Sequence, residues 1–296
     1  MKTQNTILLV INPIAGGTDK QPIINAFKEH VSQDGNQSII YETSGDHDKE
    51  AIQKLIKEQN PDRIVVSGGD GTIREVADAI KGASIKVGLL PSGSANGLAT
   101  NFDIPDNLEK QLDIALGDHF IAMDLIEING YTCLHIADLG INAQLIKNYE
   151  KSEIRGKLGY LIQSFPTLLS SDFPFEVEIQ CDDQTISEEG ILVAIANANK
   201  FGTGAQINPT GKMDDGIFEV LVFKNFSIKG ILETFYDDAE LDPDFVKVIP
   251  CKNVSIQSKK LIAFQIDGEF IGDEQRVEAK MTPHKLNLAI PKSFRG

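Results

Sequence analysis

Ile64-Val65-Val66-Ser67-Gly68-Gly69-Asp70-Gly71-Thr72 reads as a buried strand that runs into a glycine-rich turn holding one acid and one hydroxyl. The residues that follow place apolar side chains at Ile73, Val76, Ala77 and Ile80, the spacing of one helix face. Gly68, Gly69 and Gly71 let the backbone turn sharply and come close to a ligand, because no Cβ intervenes. Free N–H groups at such a turn and helix start favour an anion, typically a phosphate. Asp70 is a poor direct partner for phosphate but suits Mg²⁺, or a water on Mg²⁺, that itself contacts the phosphates. Taken alone the stretch is also an ordinary strand–turn–helix corner with glycines for steric reasons, the commoner case for a short motif.

The flanking sequence repeats the same texture. Residues 1 to about 125 alternate strand and helix patterns: strand 7–11, helix near 20–33, strand 37–42, helix 48–59, strand 63–67, the helix after Gly71, strand 85–90 and helix 107–116. Repeated βα units predict a mostly parallel sheet covered by helices, with ligands at the carboxyl ends of the strands. Those ends are polar and glycine-rich: Asn12-Pro13-Ile14-Ala15-Gly16-Gly17, then Ser67 to Thr72, then Pro91-Ser92-Gly93-Ser94-Ala95-Asn96-Gly97. Neither a G-x-x-x-x-G-K-[ST] loop nor a G-x-G-x-x-G loop is present, so a Walker or standard dinucleotide site is not supported. Three such turns on one sheet edge point to a nucleotide.

After about 125 the pattern shortens to alternating segments at 120–128, 132–138, 175–181, 191–197, 217–223, 246–249, 253–257, 262–266, 275–280 and 285–290. Turn residues separate them, which predicts an antiparallel β domain with one helical insertion near 141–171. The fold class is therefore α/β plus all-β, an N-terminal Rossmann-like parallel sheet followed by a C-terminal antiparallel β-sandwich. The domains divide as 1–125, joined by 285–296, and 126–284.

Composition excludes some partners. A net charge of −15 opposes nonspecific nucleic-acid binding and resting on anionic lipid by charge alone. No apolar run is long enough to cross a bilayer, and the amino terminus carries no signal-peptide pattern. Cys133, Cys181 and Cys251 are odd in number and far apart, which predicts reduced thiols and a cytoplasmic setting. Lys147, Lys151, Arg155 and Lys157 form a basic cluster that suits a local membrane contact or a solvated helix face. Tyr160, Leu161, Ile162, Phe165, Leu168, Leu169, Phe173 and Phe175 make an apolar stretch that suits an acyl-chain groove or an ordinary buried helix.

Asn12-Pro13-x-x-Gly16, Gly68-Gly69-Asp70-Gly71-Thr72-x-x-Glu75-Val76 and Leu90-Pro91-x-Gly93-Ser94-x-Asn96 together resemble the diacylglycerol kinase catalytic domain family. The resemblance continues through Asn197-Ala198, Gly202, Gly204, the Lys212-Met213-Asp214-Asp215-Gly216 turn and Asp267-Gly268-Glu269, and so covers nearly the whole chain. It implies an NAD-kinase-like first domain and transfer of a phosphoryl group from ATP, with Mg²⁺, to a lipid alcohol. It implies ATP contacts at Asn12, Pro13, Ile14, Ala15, Gly16, Thr43, Gly69, Asp70, Gly71, Thr72, Ile73, Arg74, Glu75, Ser94 and Asn96, with ATP between the domains. It implies Glu269 as general base, Asp70 and Asp124 in an acid–water–Mg²⁺ network, and a second metal at Lys212, Asp215 and Ile217. The last strand, ending at Pro291, is expected to return to the first domain. Gly97 departs from the family, which carries an acid after the asparagine of the third turn, so one carboxylate of the network is missing.

Phosphoryl transfer needs an in-line hydroxyl, neutralised phosphate charge and an acceptor for the hydroxyl proton. Asp267-Gly268-Glu269 supplies such a carboxylate, although Asp-Gly is also a common hairpin turn. The leading reading is a lipid kinase acting on a diacylglycerol or sphingoid base. It makes transient contact with a membrane surface, is peripheral to it, and is compatible with a homodimer. The rivals are an NAD-kinase-like kinase of a soluble substrate and a non-catalytic nucleotide- or lipid-binding regulator.

Overall fold

Strand β1 (Thr6–Ile11) is buried at every position from Ile7 onward, as a strand covered on both faces must be. It pairs in parallel with β2 (Gln37–Glu42) on one side and β3 (Arg63–Gly68) on the other. Strand β4 (Lys86–Pro91) continues the sheet beside β3, again parallel. Asn287 and Leu288, near the end of β14 (Glu269–Ala289), add a further parallel pairing against Lys86 and Val87. Helix α1 (Gln21–Gln33) presents Ile24, Phe27 and Val31, and helix α5 (Leu108–Ala115) presents Leu112 and Ala115, to the face made by Ile7, Leu9, Ile11, Val65 and Leu90. Helix α3 (Asp70–Ala79) packs on β3 and on helix α2 (Asp48–Gln59). The alternating residues Leu8, Val10, Ile64 and Val66 are buried too, so both faces of the sheet are covered.

The computed structural model describes residues 4–94, 96–150, 173–200, 206–209, 211–225 and 242–294. The chain divides into two compact units, Met1–Asp124 with Pro283–Gly296, and Leu125–Thr282. The second unit is antiparallel. Strand β7 (Ile136–Gly140) pairs with β10 (Leu192–Ala196), β10 with β11 (Phe218–Phe223), and β11 with β12 (Val246–Cys251). Strand β13 (Asn253–Ile266) pairs along one side with β14. On its other side, its first part meets β8 (Phe175–Cys181) and its last three residues meet β7. A register shift between Gln257 and Ile262 bends β13 so that it can serve both partners. Phe175, Phe218, Phe264, Val193, Val220 and Ile256 meet in one apolar core, as a sandwich requires.

Several expectations are corrected. Segments 253–257 and 262–266 belong to one bulged strand, and 275–280 and 285–290 to another. Strand β9 (Gln184–Gly190), paired with β8, is polar enough to have passed as loop. Of the 141–171 insertion, helix α6 (Ile141–Glu150) is described. Phe175 is fully buried in the sandwich core and Phe173 packs against it, so these two belong to the core rather than to an acyl groove. The rest of that apolar stretch, and Lys151, Arg155, Lys157, Gly202 and Gly204, lie outside the described residues.

The cysteines are not all reduced. Cys181 at the end of β8 and Cys251 at the end of β12 form a disulfide with Cα atoms 5.8 Å apart. Cys133 is buried and outside the disulfide, and its thiol donates to Asp267 Oδ1 at 3.6 Å. The two sulfurs are 70 residues apart in sequence, and an odd cysteine count says nothing about which two are neighbours in space. The premise for a cytoplasmic setting therefore falls. No helix among the described residues is long and apolar enough to cross a membrane.

Alkylation in denaturant without reductant is expected to label Cys133 alone, and labelling after reduction to add Cys181 and Cys251. Reduction is expected to lower unfolding stability by roughly 2–4 kcal/mol in a urea titration, since a long loop is released.

Candidate functional site

The turns after β1, β3 and β4 are tied to one another by backbone. The Asn12 N–H donates to the Ser67 carbonyl at 2.8 Å, and the Ser92 N–H donates to the Gly68 carbonyl at 3.0 Å. The Ser67 and Ser92 hydroxyls lie 3.2 Å apart. The Asn12 side chain accepts from the Ile14 N–H at 3.1 Å and donates to the Thr72 hydroxyl at 3.4 Å. Glycines are required where the turns meet. A Cβ on Gly16, at φ +62°, would fall 2.5 Å from the Ser92 carbonyl oxygen, and one on Gly93 would fall 2.5 Å from Gly69 Cα.

Asp70 locks the arrangement. Its carboxylate is buried and accepts the Gly97 N–H at 2.7 Å and the Leu98 N–H at 3.0 Å, which caps the short helix α4 (Gly97–Asn101). Asn96, at φ +50°, closes the same turn by accepting from the Gly93 N–H at 2.8 Å and donating to the Gly93 carbonyl at 3.0 Å. The residue where the family carries an acid, Gly97, thus contributes its own N–H to Asp70. Each oxygen of Asp70 keeps a further lone pair after these bonds.

The second turn is built in the same way. The buried Asp48 carboxylate accepts the N–H groups of Ser44 at 2.9 Å and Gly45 at 2.7 Å and the Tyr41 hydroxyl at 2.6 Å. Burial and then the hydrogen bond to Asp48 push the Tyr41 phenol up to about 12. Thr43 is buried beside this clamp and its N–H donates to the Ile11 carbonyl at 2.9 Å. Lys20, missed in the sequence, is buried and donates to the Ala15 carbonyl at 2.6 Å and the Thr18 hydroxyl at 3.0 Å, and burial pulls its pKa down. Its place four residues after Gly16 in a polar run gave no sign of burial.

The cradle fits an anion by its donors. Helix α3 begins at Gly69-Asp70 with no side chain capping its first turn, so its leading N–H groups point outward at the glycine-rich edge. Gly69, Gly71, Thr72, Arg74 and Glu75 all lie in or beside that first turn, and Ile73 packs into the core. Ile14 is 83% exposed and Ser94 is also exposed, on the turns that flank it. Pro13 and Ala15 complete the first turn, where Gly16 and Gly17 both take positive φ, +62° and +64°. Asp124 is buried and its carboxylate lies 2.7 Å from the Lys285 ammonium. No cluster of three His, Cys, Asp or Glu side chains that could hold a metal occurs among the described residues.

In the second unit, Asp267 and Gly268 form a two-residue hairpin between β13 and β14, with φ +50° and +88°. The Asp267 carboxylate is buried and accepts the N–H groups of Leu134 at 2.8 Å and His135 at 2.9 Å and the His135 Nδ1–H at 2.6 Å. Burial pushes this carboxyl up, but the facing His135 and the donated N–H groups outweigh it and hold the pKa below the usual value. Glu269 follows directly and is exposed. The His135–Asp267 pair escaped the sequence because its members lie 132 residues apart. On the 212–217 turn, the Asp215 carboxylate accepts the Ile217 N–H at 3.2 Å, and Lys212 and Asp215 are exposed. A surface cavity of about 500 Å³ also lies in this unit, but Glu127 pairs there with Lys280 and Arg276 with Glu278, and no predicted site residue lines it.

Comparison with known proteins adds the family. The profile described as "Diacylglycerol kinase catalytic domain" matches residues 6–128, and "YegS C-terminal NAD kinase beta sandwich-like domain" matches residues 136–290. A protein of Citrobacter koseri named "Probable lipid kinase YegS-like" is 26% identical over 299 residues, covering 98% of each chain. An Escherichia coli protein named "Probable lipid kinase YegS" is 28% identical over 235 residues, 77% of this chain and 78% of that one. Among solved structures, a diacylglycerol kinase of Bacillus anthracis superposes with a TM-score of 0.75 at 18% identity, over 100% of both chains. An NAD kinase of Archaeoglobus fulgidus, solved in complex with ATP, gives 0.55 at 13% identity over 97% of this chain and 94% of that one. With matched domains in this order along nearly its whole length, the chain belongs to the diacylglycerol kinase catalytic domain family, in the form that carries a YegS-type C-terminal β-sandwich.

Proposed function

We propose that the protein is an ATP- and Mg²⁺-dependent lipid kinase that moves the γ-phosphoryl group to a hydroxyl of a diacylglycerol or sphingoid base. The observation that carries this reading is the backbone-tied cradle at the carboxyl ends of β1, β3 and β4, with the uncapped first turn of α3 in its midst. Such an edge binds phosphate through main-chain N–H groups and leaves no room for side chains where the turns touch. Family membership supports the chemistry, and the names of the relatives support a lipid as acceptor.

The chain's own residues divide the work. The turns at Asn12–Gly16 and Gly69–Thr72, with Ser94 and Asn96, bind and orient the phosphates, and Thr43 flanks them on the Asp48-clamped turn. When bound, Mg²⁺ supplies neutralisation of phosphate charge. The acceptor hydroxyl oxygen attacks the γ-phosphorus, the bond to the β,γ-bridging oxygen breaks, and ADP leaves. Glu269 takes the hydroxyl proton as the new P–O bond forms. The lipid is drawn from a membrane surface in a transient contact, which a net charge of −15 keeps weak on an anionic bilayer.

Incubation with γ-labelled ATP, Mg²⁺ and a total lipid extract, with NAD assayed in parallel, is expected to label a lipid and leave NAD unlabelled. Labelled NADP with unlabelled lipid would reject the reading. Glu269→Gln is expected to lower kcat by about 10²–10⁴-fold with nucleotide affinity kept. Native turnover in that variant would remove the role assigned to Glu269. Asp70→Asn leaves one of two buried N–H groups facing an amide donor. It is expected to cost roughly 1–3 kcal/mol of stability and to weaken nucleotide binding, read by urea titration and calorimetry.

A further inference from the structure

We propose that Asp138 and Gln265 are positioning residues for Glu269: a directed hydrogen-bond chain from the Asp138 carboxylate through the Gln265 amide to the Gly268 N–H fixes the backbone from which Glu269 projects. The inference deepens the function proposed above and rests on the role given there to Glu269.

Asp138 in β7 and Gln265 in β13 stand directly opposite each other in an antiparallel pair, so their side chains emerge as neighbours on one face. Both are buried, Asp138 completely and Gln265 to 2% exposure. A buried glutamine is costly unless both ends of its amide are bonded. Here they are. Gln265 Nε2 donates to Asp138 Oδ2, and Gln265 Oε1 accepts the Gly268 N–H at 2.7 Å. No backbone carbonyl among the described residues takes that N–H, so Gln265 satisfies a donor that the hairpin leaves over.

The chain has a direction. Asp138 is surrounded by donors only: the Ala143 N–H at 3.0 Å on Oδ1, and Asn142 Nδ2 at 2.6 Å and Gln265 Nε2 on Oδ2. Burial pushes its carboxyl up to about 6, against the hydrogen bonds that pull it down. The backbone N–H of Gly268 can only donate, so the amide oxygen of Gln265 must face it and the amide nitrogen must face Asp138. The other residue of the turn, Asp267, is pinned by Leu134 and His135. Both loop residues are thereby held, and Glu269 is the next residue. Asp138 also anchors the start of α6, whose Lys147 reaches Asp273 at 2.6 Å and lies 5.1 Å from the centre of the Phe270 ring. Helix α6 is therefore fastened to the chain on both sides of Glu269, through Gln265 to Gly268 before it and through Lys147 to Asp273 after it.

The direction makes the proposal testable by exchange. Asp138→Asn puts an amide donor where the acceptor was, so Gln265 turns its oxygen toward it and faces Gly268 with its own N–H groups. Gln265→Glu sets two carboxylates within hydrogen-bond distance. The double variant Asp138→Asn/Gln265→Glu reverses the bond between the two side chains but restores an acceptor for the Gly268 N–H, since the introduced carboxylate accepts from both the introduced amide and Gly268, with net charge unchanged.

The test measures kcat and KM with MgATP and vesicles of total bacterial lipid extract supplemented with a diacylglycerol. Nucleotide affinity is measured by calorimetry and folding by circular dichroism. Glu269→Gln is run alongside. Each single variant is expected to lose on the order of 10- to 100-fold in kcat with nucleotide affinity unchanged, and the double variant to recover to within about threefold of native. Native kcat in both singles, or a folded double variant as slow as the singles, would overturn the proposal. If the singles do not fold, the double variant decides alone by the same two results. Loss of turnover in Glu269→Gln with native singles removes only the chain. Native turnover in Glu269→Gln removes the role of Glu269 and the chain with it.

Discussion

Backbone must touch backbone at the carboxyl edge of the parallel sheet, and everything proposed for the nucleotide depends on that contact. Gly93 lies against Gly69, and Gly16 lies against the Ser92 carbonyl, closer than any side chain would allow. The glycines permit the approach but do not enforce it, because a glycine-rich turn has more conformations to lose than any other. Asp70 supplies the enforcement. By taking the N–H groups of Gly97 and Leu98 it ties the start of α3 to the start of α4. The turn that would hold phosphate is thereby held itself.

The same device recurs at other turns. Asp48 clamps the loop beside Thr43, Asp267 clamps the hairpin before Glu269, and Asp138 anchors both the start of α6 and, through Gln265, the same hairpin. In each case a buried carboxylate collects backbone N–H groups that a tight turn leaves over. Charge-assisted bonds of this kind are stronger than neutral ones and work against the cost of burying the acid, overcoming it at Asp267 but not at Asp138. A chain with 43 acidic residues therefore uses several of them inside, as fixtures for its loops, while the remainder set its negative surface.

The parallel half of the fold was legible because its signals are local. Runs such as Ile7–Ile11 and Ile64–Val66 are apolar at every position, and each ends in glycine and small polar residues. The backbone partners of the acids were not legible. Asp70 reads as a metal ligand from its place in the turn, and the structure adds bonds from N–H groups 27 and 28 residues away. The partners of Asp267 and Asp138 are more distant still, at 132 and 127 residues. The disulfide failed for the same reason, and β9 failed because its residues are mostly polar or exposed. Periodicity reports which face of an element is buried, and it is silent about which distant side chain meets it.

Calorimetric titration of Mg²⁺ with a non-hydrolysable ATP analogue into native protein and Gly93→Ala tests the central claim most directly. The added methyl would separate the third turn from Gly69 without touching any charged group. The account predicts that the native protein binds the analogue and that the folded variant binds it about tenfold or more weakly. Equal affinity in the two would contradict it.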